Sequence, residues 1–301
     1  MIPRRAFGLG LASLAGAAML LPSTPGWAQV GADLNISPKR VVFDPQTRSA
    51  TVFVFNRGTE PVTYSVDMVD KVMTSDGQIR NLDVAAKAPD AASAVARVKP
   101  AKAMLVFTPR RVTLAGGTSQ VIRVRVLRPA DLPVGEYRSH LTVTAVPPET
   151  QGLTAEEAAA EAKGQLAFQV TALFGVSIPV IVRQGAADAR AGIDAVSYSI
   201  RNAPAGATGA PVKAGILAFQ LQRQGASSLF GDVEVRALGK TKAGDLIGGL
   251  RGIGVYPEVD HRAVELALTR MPASGEHLVV TFRDEDSKVG EVLATANFTV
   301  P

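Results

Sequence analysis

The sequence contains no cysteine, so no disulfide can cross-link it, and thiol, haem-thiolate and zinc-thiolate chemistry are excluded. Its three histidines, His140, His261 and His277, stand far apart and in no metal or triad spacing. They are expected at the surface, and neither a metal nor a cofactor is expected. Aromatic residues make up 5% of the chain, with one tryptophan, a poor supply for an exposed aromatic platform that grips sugars. Past residue 28 no stretch approaches the ~20 consecutive apolar residues of a membrane span, so stable membrane insertion is not expected of the mature chain. Basic residues are scattered rather than clustered with aromatics, which argues against a nucleic-acid partner.

What is present points to a globular β protein. The chain has 301 residues, 47% apolar and 20% charged, with 28 glycines and 19 prolines, which suits two domains of ordinary size with many turns. Arg4 and Arg5, an apolar run from Phe7 to Leu21, and small residues Gly26 and Ala28 form the pattern of an export signal over 1–28. The paired arginines fit either a general or a twin-arginine export route. Removing Arg4 and Arg5 takes the net charge from +5 to +3, and the expected location is the periplasm.

From Leu34 the pattern has period two. Val52 and Val54, then Val62, Tyr64, Val66 and Met68, alternate with polar positions as half-buried strands do. Asn56-Arg57-Gly58, Ser75-Asp76-Gly77 and Ala115-Gly116-Gly117 supply the turns. Residues 83–103 show no clean period and are expected to form a long surface loop with at most a short helix. A buried strand is expected at 104–108, stopped by Pro109. In 119–127 the core face is Ile122, Val124 and Val126, with Arg123 and Arg125 opposite. Another strand over 136–146 ends at Pro147-Pro148, since proline has no amide hydrogen to donate.

After an acidic, alanine-rich segment at 149–163 comes the longest alternation: Leu166, Phe168, Val170, Ala172, Phe174, Val176, Ile178, Val180 and Val182. It is several times the usual strand of ~5–6 residues, and a strand that long is expected to serve two domains or two partners. Further strands are predicted at 193–200, 215–224, 232–238, 263–269, 277–283 and 291–300. Ser227–Gly231 and Arg251–Val255 read as hairpin turns, since neither opens a helix after a strand as a phosphate cradle would. The expected organisation is a signal at 1–28, a first domain at 29–184 containing the strand 165–183, and a second β-sandwich at 185–301.

Several segments together resemble the PapD-like periplasmic chaperones of the chaperone-usher pathway, in a divergent branch. They are ISPKRVVFD at 36–44, TVFVFNRG at 51–58, FTPRRVTL at 107–114, the arginine-bearing strand at 119–128, LPVGEYRSHL at 132–141 and VSIPVIVR at 176–183. The resemblance implies two immunoglobulin-like sandwiches set at an angle, and a mechanism in which an edge strand completes an unfinished pilus subunit. It implies Phe168, Val170, Ala172 and Phe174 as the subunit-binding row of that donor strand. Burying the larger three would contribute roughly 1.5–3 kcal/mol each before ordering costs. It implies Arg40 as the anchor for the subunit's terminal carboxylate, Glu136 and Arg183 as an interdomain charge pair, and a cis bond at Thr108-Pro109. The family's anchoring lysine is missing, its position falling near Pro179; Arg138, Arg110 and Arg111 are candidate substitutes.

Plainer readings of the same residues remain open. The 166–174 row would also suit a core strand facing its own sandwich, and Arg40 a solvated arginine at a strand end. The function expected is a periplasmic chaperone for pilus or fimbrial subunits that hands them to an outer-membrane usher. The alternative is an exported sandwich module binding glycans or surface polymers. No nucleophile, base and oxyanion set can be assembled, so an enzyme is not expected.

Overall fold

The computed structural model describes residues 29–30, 33–147, 172–203, 212–239 and 244–301. The expected signal at 1–28, the acidic segment at 149–163 and the candidate donor residues Phe168 and Val170 lie outside the described residues. In the first half, strands run β1 (Gln29–Val30), β2 (Leu34–Ser37), β3 (Val41–Phe43), β4 (Ser49–Asn56), β5 (Val62–Val69), β6 (Lys71–Met73) and β7 (Ile79–Asn81). Helices α1 (Leu82–Ala85) and α2 (Ala92–Arg97) follow, then β8 (Leu105–Thr108), β9 (Arg111–Leu114), β10 (Ser119–Val126), β11 (Gly135–Ala145), β12 (Ala172–Leu173) and β13 (Gly175–Gln184).

These strands make a sandwich of two sheets, ordered β2-β4-β10-β8 and β3-β13-β11-β5-β9. Alternation decides what goes inside: Ile36, Val52, Val54, Ile122 and Val124 of one sheet share a core with Phe43, Tyr64, Val66, Leu141 and Val180 of the other. The chain crosses between sheets after β2 through a cis Ser37-Pro38 bond, and the Thr108-Pro109 bond is also cis. The strand at 104–108 is buried on one side only: Leu105 and Phe107 face the core, while Val106 is 47% exposed.

The second sandwich packs β14 (Ala191–Ala203), β15 (Val212–Arg223) and β18 (His261–Ala267) against β17 (Asp245–Val255), β16 (Leu229–Ala237), β19 (His277–Asp284) and β20 (Val292–Thr299). Both halves are immunoglobulin-like in kind, two sheets around one shared core, antiparallel except where β3 pairs in parallel with β13. Strand β17 contains the segment expected to be a hairpin turn, Arg251–Val255. Its glycines obscured it, and packing explains one of them: a Cβ on Gly248 would stand 2.6 Å from Leu266 and 2.9 Å from Leu268. Ser227 and Ser228 are buried, and Leu229–Gly231 opens β16 rather than forming a turn.

The expected surface loop at 83–103 is a correction of substance. It holds α1 and α2, and Ala85, Ala91 and Ala94 are buried in the same apolar cluster as Leu217, Leu229 and Val255 of the second sandwich. Val72 and Met73 of β6 join that cluster. Alanine has too little side chain to advertise a helix face, yet its small size lets these turns lie close against the neighbouring sandwich. The backbone amide of Ala263 donates to Ser75 O at 2.8 Å, so the insertion between β5 and β8 clamps the two halves together.

Candidate functional site

Two polar clusters lie where the sandwiches meet. In the first, β3 runs parallel to β13 with Val41 beside Val180 and Phe43 beside Val182, so Arg40 precedes the paired stretch, Arg183 follows it, and their side chains converge on Asp286. Register sets Glu136 of β11 directly opposite Arg183. Arg183 Nε donates to Glu136 Oε2 at 2.9 Å, and the Ser228 amide donates to the same oxygen at 3.2 Å. Asp286, on the turn after β19, accepts from Arg40 Nη2 at 2.8 Å and from Arg183 Nη2. That turn is held by Asp284, whose carboxylate accepts from the amides of Asp286, Ser287 and Lys288.

The cluster is dry. Side-chain exposure is 7% for Arg40, 8% for Arg183, 1% for Glu136 and 10% for Asp286. Burial works against the charge on Arg183, but its bonds to Asp286 and Glu136 outweigh that and hold its pKa above the usual arginine value. Arg40 is therefore not the solvated strand-end residue of the plainer reading. Its guanidinium also donates to Ser228 Oγ at 3.1 Å and stacks over Phe230, 4.7 Å from the ring centre. Its Nε and Nη1 are buried without a hydrogen-bond partner among the described residues, as is Glu136 Oε1. A cleft of about 630 Å³ opens beside the cluster, lined by Val42, Asp44, Arg183, Gly185, Asp286 and Ser287.

The second cluster is built on Arg138, offered by sequence as a substitute anchor. It is occupied otherwise: its Nη2 donates to Glu258 Oε1 and to Lys71 O, and its guanidinium carbon lies 3.5 Å from the centre of the Tyr256 ring. Glu258 also accepts from the Met73 amide at 2.8 Å. His140 lies beside this cluster, edge-on to Tyr256 at 6.5 Å. It was expected at the surface and is 3% exposed. Burial, then the charges of Arg138 and Lys71, push its pKa down to about 2. Arg110 lies over the Phe107 ring, 4.8 Å from its centre, and Arg111 is exposed on β9.

The candidate donor strand is seen in part. Ala172 is half-buried and Phe174 is 40% exposed, next to Leu173 at 45%. From Ile178 onward the same alternation is sealed, with Ile178, Val180 and Val182 in the first core. On the edge of β13 away from β11, β3 covers Val180–Val182, and β1 pairs with β12 over Ala172–Leu173. Among the described residues no strand pairs with Gly175–Pro179 on that edge. Sequence reasoning did not find Asp286, Ser228 or Glu258. The acidic run Asp284-Glu285-Asp286 between two predicted strands is a weak signal that names no partner. Among the described residues no cluster of acidic or histidine side chains is arranged to hold a metal ion, and no helix is long and apolar enough to cross a membrane.

Strand order and the shared cores thus define a protein of two immunoglobulin-like sandwiches with a charged junction. Solved structures similar to this chain include several chaperones. The E. coli chaperone DraB is 13% identical, with a TM-score of 0.41 over 92% of this chain and 99% of that one. The Pseudomonas aeruginosa CupB2 chaperone is 14% identical, with a TM-score of 0.40 over 89% and 100%. The Salmonella enterica SafB chaperone, solved with the SafA pilin, is 15% identical, with a TM-score of 0.39 over 92% and 99%. No family model and no curated protein matches the chain.

Proposed function

We propose that this chain is a periplasmic chaperone that captures pilus or fimbrial subunits by lending them the edge of its 165–183 strand, then delivers them to an outer-membrane usher. In this proposal 1–28 is an export signal, 29–184 is the subunit-binding unit, and 185–301 walls the cleft. The observation that carries the reading is the edge at Gly175–Pro179, unpaired among the described residues and continuous with exposed Leu173 and Phe174. An edge strand offers unpaired backbone groups and a row of apolar side chains, and a subunit lacking one strand needs both. Pro179 offers no amide hydrogen, so the edge available to a client ends there. The work is binding, not catalysis.

Arg40 would anchor the client's terminal carboxylate, with two consequences. Asp286 already occupies Nη2, so the incoming carboxylate must use Nε and Nη1 or take the place of Asp286. Charge-assisted bonds of this kind contribute roughly 1.5–3 kcal/mol each, less than the apolar row, so the anchor sets register more than affinity. The test is co-purification from periplasm. Phe168→Asp combined with Phe174→Asp should leave a folded chaperone whose melting midpoint moves by no more than a few degrees, while bound subunit falls below detection. Subunit retained at the wild-type level refutes strand lending.

A further inference from the structure

We propose that the outer face of the β2-β4-β10-β8 sheet is a docking surface for an acidic, extended peptide segment of a partner protein. This rests on observations separate from the donor strand. Among the serines and threonines of its outward face, this sheet carries an apolar patch beside two arginines. Phe53 lies opposite Val121 in register, and Phe55 stacks with Phe53, ring centres 6.2 Å apart. Phe53 is 41% exposed. Next along β10 on the same face come Arg123, between Thr51 and Thr108, and Arg125, between Ser49 and Val106.

None of the four strands contains an aspartate or glutamate. Arg123 and Arg125 are exposed and have no hydrogen-bond or ion-pair partner among the described residues. Val121, Arg123 and Arg125 therefore present one apolar and two cationic positions at a strand's two-residue spacing, ~6.8 Å apart. The complement is a segment of pattern apolar-x-acid-x-acid in extended conformation, its apolar side chain against Phe53 and Val121 and its carboxylates on the arginines. A second copy of this chain does not fit, because two-fold pairing of this face sets arginine against arginine. A membrane does not fit either, because both phenylalanines lie within a strand rather than on a projecting loop.

The experiment uses the mature full-length protein and a fluorescein-labelled peptide of about ten residues with that leucine and glutamate pattern. Anisotropy should report saturable binding that weakens as salt rises from about 50 to about 300 mM. Arg123→Glu with Arg125→Glu should weaken it at least ~10-fold, as should exchanging the peptide's glutamates for lysines, and Phe53→Thr should weaken it ~3-fold or more. All three side chains point outward, so melting midpoints should be unchanged. The proposal is overturned by affinity indifferent to the arginine variants or equal for the lysine peptide. It is equally overturned if the arginine-dependent ligand proves to be phosphatidylglycerol vesicles, an oligothymidylate, or a second copy detected by sedimentation.

Discussion

The two ends of β13 and its lead-in carry the same alternating apolar residues into opposite circumstances. Toward the N-terminal end, Leu173 and Phe174 are substantially exposed, and among the described residues no strand pairs with the outer edge of Gly175–Pro179. Toward the C-terminal end, Val180 and Val182 fill the first core and Ile181 enters the apolar cluster of the second sandwich. There the strand is buried on both faces, capped by β3 and closed by Arg183. A single strand is thus sealed in the fold at one end and, among the described residues, unpaired on one edge over Gly175–Pro179 at the other. Strand lending requires that combination, because a donor free along its whole length would lose conformational entropy on every capture.

The contrast can be broken most severely at the sealed end. Val182→Asp buries a carboxylate with no counter-charge, and the loss should exceed about 4 kcal/mol, enough to leave little folded protein in a urea titration. Next in size, Arg183→Ala leaves Glu136 without its counter-charge in a buried junction, with Asp286 held by Arg40 alone, and should cost about 3–5 kcal/mol. If the clamp at 70–104 makes the sandwiches one cooperative unit, calorimetry of that variant will show a single transition at lower temperature. Two resolved transitions would mean that the charge cluster, not the clamp, couples them.

The smallest effect sharpens the boundary between the two ends. His140 pairs in register with Pro179, where the open edge stops. Its folded-state pKa of about 2 lies below the usual histidine value of 6.5, so the unfolded chain binds the proton more readily. Stability is then fully present above pH ~6.5 and falls by about 1.4 kcal/mol for each pH unit below it. His140→Gln should flatten that slope between pH 6 and 4.5 in denaturant titrations done at each pH. A slope unchanged by the substitution would move the cause to another group.

Legibility followed burial chemistry. The faces of β4, β5 and β10 were readable because polar and apolar residues alternate along them, and one buried face leaves that mark. The alternation at 166–182 does not say where the strand becomes sealed, since Phe174 and Val180 are equally apolar. The clamp was hidden because alanines carry little pattern, and β17 because Gly252 and Gly254 made Arg251–Val255 read as a turn, while Gly248, packed against Leu266 and Leu268, interrupts the alternation before it. At the candidate site, Glu136 and Arg183 were named only through the resemblance, and the Arg40 partner Asp286 lies 246 residues away in sequence.

Alone, the sequence determined an all-β chain with two cores, no thiol chemistry and a set of strands whose inward faces are dictated by period two. Tertiary structure decided which cations are neutralised, which strand edge stays open and how the sandwiches are joined. Periodicity is a local property of the chain, whereas a charge's partner and an edge's coverage depend on segments hundreds of residues apart meeting in space.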